Sequence, residues 1–369
     1  KIYAIPVPVP RIAGDVIYIR QDWLDKLQMK TPETLDEFLA FFEAVKREDM
    51  DGNGDPNDEY GFYVRENLTF SDLFFEEFGA YPSKWVMRDG VMTPGIILPE
   101  MEDALAFWKM LYDNGYINPN LFTNKANDWI AGILQGKAGM WKHQVGNYNT
   151  TWNKNEFVDP NVELSLIGGP QGPKGKGISP ARNGLQYACV IPSTVEHPEE
   201  IVKFLDWFWT EEGKRFVLFG IEGATYTVEN GEIKWDINDP VYKDNEGYAF
   251  HQTTLNFQFA VNNMSEGYPA LRSSIPDYDK ITAGFQTAKD NIIESDGRFM
   301  PDLKAFQNHP ELVPGTGAGT LFLDMFAKVL IGRESIDEAF DSFVAEWKRR
   351  GGEEAMKEAT EWYHSYYGN

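Results

Sequence analysis

Short apolar segments alternate with amphipathic helical patterns along this chain, and that alternation constrains the fold more than any other feature of the sequence. The clearest helix begins near Thr34 and Glu37, which have the spacing of a capping box. The apolar side chains that recur on one face of this helix are Leu35, Phe38, Leu39 and Phe42. Helices that alternate with short apolar strands indicate an α/β architecture, and we expect mainly parallel sheets.

Similar patterns extend this prediction over most of the chain. Further helices are predicted over residues 99–114, 127–135, 198–219, 321–331, 335–350 and 353–367. Strands are predicted over 16–19, 138–141, 163–167 and 187–191. Because a domain usually has about 100–200 residues, a chain of 369 residues indicates two domains rather than one.

Charge and cysteine content exclude several classes of function. The chain has 57 acidic and 34 basic residues, and its formal net charge is −23. This negative charge repels phosphate groups, so we expect no nucleic-acid partner. Cys189 is the only cysteine, which excludes a disulfide within the chain and the cysteine clusters of zinc and iron–sulfur proteins. No apolar run approaches the roughly 18 residues of a membrane-spanning helix.

Aromatic residues are abundant. The chain contains 11 Trp, 17 Tyr and 25 Phe, which together make up 14% of its residues. Most of these rings are expected in the core, but flat apolar faces with polar edges also suit the C–H faces of sugar rings. We therefore expect part of the aromatic content to line a ligand-binding surface.

One acidic loop has the pattern of a cation site. Side chains with oxygen atoms recur at nearly every second position, and Gly52 and Gly54 permit the tight turn that points them inward. The predicted ligands of a structural calcium ion are Asp49, Asp51, Asn53, the carbonyl of Asp55, Asp58 and Glu59. Position 12 is Tyr60 instead of the glutamate of an EF-hand. A solvated acidic turn without a metal is the alternative.

The order of several segments resembles that of the family 1 extracellular solute-binding proteins, especially the lipoprotein receptors of Gram-positive bacteria, and more distantly maltose-binding protein. The segments that carry this resemblance are 1–6, 17–20, 22–24, 32–37, 136–141 and 331–339. The acidic loop is similar to a calcium loop of alginate- and fructan-binding relatives. Each motif is weak alone, but their order makes the combination specific.

The resemblance implies an α/β fold of the type II periplasmic-binding-protein kind, with two lobes and a cleft between them. Residues 1–10 would begin the first crossover between the lobes. Residues 11–182 and 301–369 would form the C-terminal lobe, and 183–300 the remainder of the N-terminal lobe. The N-terminal lobe is expected to be incomplete, since relatives carry a further segment before the first crossover. That absent segment would also hold the lipid anchor of an extracellular, membrane-attached receptor.

The resemblance also implies a set of ligand contacts. Glu66, Asn67 and Phe70 lie in a loop where relatives place a carboxylate and an aromatic ring against sugar. The run that follows the strand entering the cleft supplies Trp141, His143, Gln144, Asn147 and Tyr148. Arg182 and Asn183 lie at the expected second crossover. For each residue, packing or solvent exposure without a ligand is the alternative.

The predicted function is that of a monomeric binding protein, not an enzyme, that holds an oligosaccharide and passes it to the permease of an ABC transporter. The rival hypothesis is a glycoside hydrolase, which needs two carboxyl groups placed across the bond to be cleaved. The adjacent glutamates at 76–77, 199–200 and 353–354 are expected mostly on solvated helix faces. No catalytic residue is predicted.

Overall fold

The computed structural model describes residues 4–8, 14–55, 57–178, 185–208, 210–235 and 276–368. The chain divides into two compact units: a smaller unit of residues 1–12 and 182–285, and a larger unit of residues 13–181 and 286–369. The assignment of these units to the lobes of a binding protein stays a prediction. Within the described ranges, no helix combines the length and the apolar character needed to span a membrane.

The elements follow one another as strands mixed with helices. The strands are β1 (Ile5–Pro8), β2 (Asp15–Arg20), β3 (Tyr60–Phe62), β4 (Trp85–Arg88), β5 (Val91–Pro94), β6 (Ala138–Gln144), β7 (Leu164–Ile167), β8 (Leu185–Cys189), β9 (Thr227–Glu229) and β10 (Glu232–Lys234). The helices are α1 (Gln21–Lys26), α2 (Leu35–Arg47), α3 (Met101–Asp113), α4 (Ala126–Leu134), α5 (Pro198–Trp207), α6 (Glu211–Phe219), α7 (Tyr278–Asp290), α8 (Leu321–Leu330), α9 (Ile336–Trp347) and α10 (Glu353–Tyr367). Short 3-10 helices include Glu66–Leu68, Glu76–Phe78 and Val145–Asn147.

The smaller unit contains β1, β8, α5, α6, β9 and β10. β1 pairs antiparallel with β8, and β9 pairs antiparallel with β10. The single helix predicted over 198–219 is wrong, because two helices occupy that range. The reason is Thr210, whose Oγ1 accepts a hydrogen bond from the backbone N–H of Gly213 at 3.1 Å and thereby caps a new helix.

The larger unit is built on a four-stranded sheet with the order β3-β6-β2-β7. β2 is antiparallel to both β6 and β7, whereas β3 is parallel to β6. The expectation of mainly parallel sheets is therefore wrong for the described strands. Alternation of helices and strands predicts which elements form, but it does not encode the direction in which each strand enters the sheet.

Helices α2, α3, α8 and α9 contribute most of the core beside this sheet. The rings of Phe38 and Phe42 on α2 each lie 6.1 Å from that of Phe74. Trp108 on α3 lies 5.5 Å from Phe326 on α8, and all five of these residues are fully buried. Burial of one such side chain stabilises the fold by roughly 1.5–3 kcal/mol. The predicted capping box of α2 is confirmed.

Two adjacent glutamates are buried instead of solvated. Glu76 is 1% exposed and Glu77 is 0% exposed, so the expectation of a solvated face is wrong for this pair. The loop that follows β7 covers them, and the backbone N–H of Lys174 donates a hydrogen bond to the Glu77 carbonyl at 2.9 Å. Burial raises the pKa of Glu77 well above 4.5, and the charge of Glu76 raises it further. Because these two effects outweigh the nearby backbone N–H groups and the charge of Lys142, the protonated form of Glu77 is favoured.

We predict that Glu77→Gln stabilises the protein at alkaline pH. The pKa of Glu77 is higher in the folded than in the unfolded protein. The stability that protonated Glu77 contributes to the fold is therefore complete below the ordinary pKa of 4.5, and it is lost as the pH rises through the folded-state pKa. Glutamine mimics the protonated group at every pH. At pH 8 the melting temperature should rise by about 3 °C, and at pH 4 it should not change. The exposed control Glu354→Gln should change neither melting temperature. If Glu77→Gln lowers the melting temperature at pH 8 more than it does at pH 4, Glu77 is not protonated in the folded protein.

Candidate functional site

The loop between β3 and β4 has an unusual backbone. Asn67, Leu68, Phe70 and Phe74 adopt positive φ angles of 56°, 52°, 53° and 67°. Non-glycine residues in this region cost about 1–3 kcal/mol each and concentrate at binding and active sites. The loop therefore carries strain at two of the predicted ligand contacts, Asn67 and Phe70.

Phe70 and His143 form the contact that joins this loop to the end of β6. Their ring centroids lie 4.4 Å apart at an angle of 62°. Both side chains are only partly buried, so each retains surface for another molecule. The structure thus brings together two predicted contacts that are 73 positions apart in the sequence.

A buried lysine holds the same loop against the sheet. Lys142 is 0% exposed, and its Nζ lies 2.7 Å from an Asp72 carboxylate oxygen and 3.7 Å from one of Asp15. Burial alone would lower the pKa of Lys142, but the charges of Asp72 and Asp15 outweigh this effect and raise the pKa. The lysine remains charged, and the ion pair links the loop to β2 and β6.

Trp141 lies inside the larger unit rather than on a surface. It is 0% exposed, and its ring stacks on Tyr18 at 5.5 Å with an angle of 8° between the planes. Its centroid is also 5.1 Å from that of Trp152. The direct sugar contact proposed for Trp141 has no support from this placement, since the surrounding rings cover the indole. Trp141 contacts the candidate site through Trp152, whose indole N–H bonds His143.

The other predicted contacts fall into three groups. Glu66, Asn67, Gln144 and Asn147 are partly buried on the loop and after β6. Tyr148 is 7% exposed, and its ring lies 6.3 Å from that of Tyr18. Arg182 and Asn183 lie outside the described residues.

The sequence does not predict the residues that support the site. These are Tyr18, Asp72, Trp129, Lys142 and Trp152. One signal could have found the ion pair, because Lys142 is a charged residue between Trp141 and His143 in an apolar strand. A buried lysine in such a place requires a carboxylate partner.

The acidic loop between α2 and β3 brings together three of the predicted metal ligands. One carboxylate oxygen from each of Asp49, Asp51 and Glu59 lies within 4.8 Å of the others. Gly52 and Gly54 have φ angles of 77° and 93°, and their N–H groups donate to the two Asp49 oxygens at 2.7 and 2.9 Å. The predicted role of these glycines in the turn is consistent with this geometry.

Glu59 is the buried member of this group. It is 3% exposed, and its Oε1 accepts hydrogen bonds from the N–H groups of Met50 and Asp51 at 2.8 and 3.0 Å. Its Oε2 is buried without a hydrogen-bond partner. Burial raises the pKa of Glu59, and the charges of Asp51 and Asp58 act in the same direction. A buried, unpaired carboxylate oxygen beside two further carboxylates fits a hard cation.

The remaining predicted ligands lie around this group. The side-chain amide of Asn53 donates to Asp51 at 3.0 Å and to Asp58 at 3.2 Å. The Asp55 carboxylate is exposed and accepts a hydrogen bond from the N–H of Asn57 at 3.1 Å. The structure therefore separates the compact group of three carboxylates from the side chain of Asp55.

The model of the bacterial extracellular solute-binding protein family matches residues 2–215, which is more than half of the 369-residue chain. The chain belongs to this family. Members of the family are binding proteins, so the rival hypothesis of a glycoside hydrolase is not supported. The predicted extracellular class agrees with the family description.

Two curated relatives of this solute-binding protein come from Bacillus subtilis. Lipoprotein LipO is 28% identical over 365 residues, which cover 94% of this chain and 68% of the relative. The polygalacturonan/rhamnogalacturonan-binding protein YtcQ is 27% identical over 372 residues, which cover 98% of this chain and 70% of the relative.

Solved structures confirm the fold of the solute-binding protein. The alginate-binding protein AlgQ2 without calcium ion has a TM-score of 0.67 and 19% identity, covering 98% of this chain and 74% of that chain. Streptococcus pneumoniae FusA in complex with kestose has a TM-score of 0.67 and 19% identity, covering 100% of this chain and 77% of that chain. These likenesses confirm the predicted α/β fold of the periplasmic-binding-protein type.

We predict that Lys142→Met destabilises the solute-binding protein by about 3–5 kcal/mol in urea unfolding, because the buried ion pairs of Lys142 with Asp72 and Asp15 are lost. The control is Lys109→Met, which removes a surface pair with Asp113 at 2.8 Å and should cost less than about 1 kcal/mol. Equal losses in the two variants would show that the buried pair does not hold the loop.

Proposed function

We propose that this solute-binding protein binds an oligosaccharide and delivers it, without chemical change, to the permease of an ABC importer. The observation that carries the proposal is the contact between Phe70 and His143, two partly exposed rings at the junction of a strained loop and β6. The names of YtcQ and FusA, which bind polysaccharide or fructooligosaccharide, support the same class of ligand.

The chemistry of the site suits a sugar. An aromatic ring can pack against the apolar C–H face of a pyranose or furanose ring, and neighbouring polar groups can bond its hydroxyls. Phe70 supplies such a face. His143, Gln144 and Asn147 supply donors and acceptors within a few residues of it. Glu66, Asn67 and Tyr148 complete the proposed contacts on the larger unit.

Charge favours a neutral oligosaccharide over an acidic one. Asp15 and Asp72 lie beside Lys142 behind the site, and the whole chain carries a net charge of −23. This field repels uronate oligomers unless a specific cation binds them. Neutral oligosaccharides are therefore the first choice, and uronate oligomers are the second.

The protein would work as a monomer held at the outside of the cell by a lipid anchor. The similarity to LipO, a lipoprotein, supports the anchor. The acidic loop would hold a structural calcium ion through Asp49, Asp51 and Glu59, with Asn53, Asp58 and the carbonyl of Asp55 as further oxygen donors. Calcium prefers 6 to 8 oxygen ligands, which this set can largely supply.

We predict saturable quenching of tryptophan fluorescence by at least one member of a panel of kestose, stachyose and trigalacturonic acid. A dissociation constant in the micromolar range or below corresponds to about −8 kcal/mol or better. Phe70→Ala should weaken binding at least about tenfold, because the stacking surface is lost. Tyr366→Ala, which removes an exposed ring on α10, should leave the affinity unchanged. Hydrolysis products in the same samples would contradict a binding function.

We predict that calcium raises the melting temperature by about 5 °C when its concentration is roughly 100 times the dissociation constant. Asp51→Asn should remove most of this shift, because it deletes a charge from the group of three carboxylates. Asp55→Asn is the matched control in the same loop, since only the carbonyl of that residue is a proposed ligand. A calcium response that is absent, or that D51N and D55N reduce equally, would count against the site.

A further inference from the structure

Trp152 lies directly behind the candidate site. It is 1% exposed, and its indole ring contacts those of Trp141 at 5.1 Å and Trp129 at 5.4 Å. Its Nε1–H points at His143, and the distance from Nε1 to His143 Nδ1 is 3.2 Å. An aromatic cluster therefore reaches the one histidine among the proposed ligand contacts.

The chemistry of the two groups fixes the position of a proton. An indole N–H can only donate a hydrogen bond, so the nitrogen that it meets must be an acceptor. In neutral imidazole one nitrogen is an acceptor and the other carries the proton. Because Nδ1 of His143 accepts from Trp152, the proton of the neutral ring lies on Nε2.

The surrounding rings restrict the orientation of the imidazole. Phe70 lies 4.4 Å from His143, and Trp129 lies 5.6 Å from it. A 180° rotation of the imidazole about its Cβ–Cγ bond would put a carbon in the place of Nδ1 and break the bond to Trp152, and intermediate rotations would move the ring against these neighbours. The indole of Trp129 cannot replace the lost donor, since its Nε1–H donates to the Tyr63 carbonyl at 3.0 Å.

We propose that Trp152 is a positioning residue that holds His143 in the Nε2–H tautomer, so that His143 acts as a hydrogen-bond donor to a hydroxyl oxygen of the bound sugar. The inference rests on the proposed function, because it takes His143 as a ligand contact. It assigns a role in specificity to a residue that does not itself touch the ligand.

The first test is NMR spectroscopy of the ¹⁵N-labelled, ligand-free protein at pH 8, where an ordinary imidazole is neutral. The chain has five histidines, and the His143 signals are those missing from His143→Gln. We expect one tautomer with the proton on Nε2, and a scalar coupling across the hydrogen bond between Trp152 Nε1 and His143 Nδ1. This measurement needs no ligand and no variant of Trp152. A proton on Nδ1, or no coupling, would overturn the inference.

The second test compares two tryptophan variants. Trp152→Phe keeps a buried ring but removes the donor, so His143 should become a mixture of tautomers. Affinity for the panel sugar that quenches fluorescence should fall about threefold to tenfold. Trp129→Phe removes an indole N–H from the same cluster and should leave the His143 tautomer unchanged. An unchanged tautomer in Trp152→Phe would contradict the role of Trp152.

The two proposals fail in different ways. If no panel sugar binds the native protein while NMR shows the expected tautomer and coupling, the proposed function is refuted. If a sugar binds the native protein and His143→Gln binds it equally well, oligosaccharide binding is supported. In that case the donor role of His143 is refuted, and so is the positioning role of Trp152.

Discussion

The ion pair between Lys142 and Asp72 is the interaction on which the candidate site depends. A fully buried ammonium requires a carboxylate partner, and the nearest one lies on the strained loop at 2.7 Å. This pair fixes the loop over the end of β6, and Phe70 then meets His143. The strain in four positive-φ residues can persist because a buried charge, rather than a surface contact, holds the loop in place.

Strand β6 connects the two functional features of the larger unit. The acidic loop ends at Glu59, and the next residue, Tyr60, pairs with Ala138 at the start of β6. His143 lies five residues further along the strand, which corresponds to about 17 Å. A cation bound at the acidic loop would thus fix one end of the strand whose other end carries the ligand contacts. Calcium would serve the structure of the site without touching the ligand.

Local features could be predicted from sequence because local interactions produce them. The capping box of α2 needs only Thr34 and Glu37, and the structure confirms both hydrogen bonds. The acidic loop is likewise contained in eleven consecutive positions. The pair between Lys142 and Asp72 joins residues 70 positions apart, and no periodicity encodes it. The burial of Trp141 could not be predicted for a similar reason. Spacing predicts the face of a strand on which a residue lies, but it does not predict what covers that face.

The most direct test is a crystal structure of the protein with an oligosaccharide bound. We expect a sugar ring in van der Waals contact with Phe70, a hydroxyl oxygen within hydrogen-bond distance of His143 Nε2, and intact glycosidic bonds. A sugar bound with no contact to either residue, or density for cleaved products, would contradict the proposed binding site.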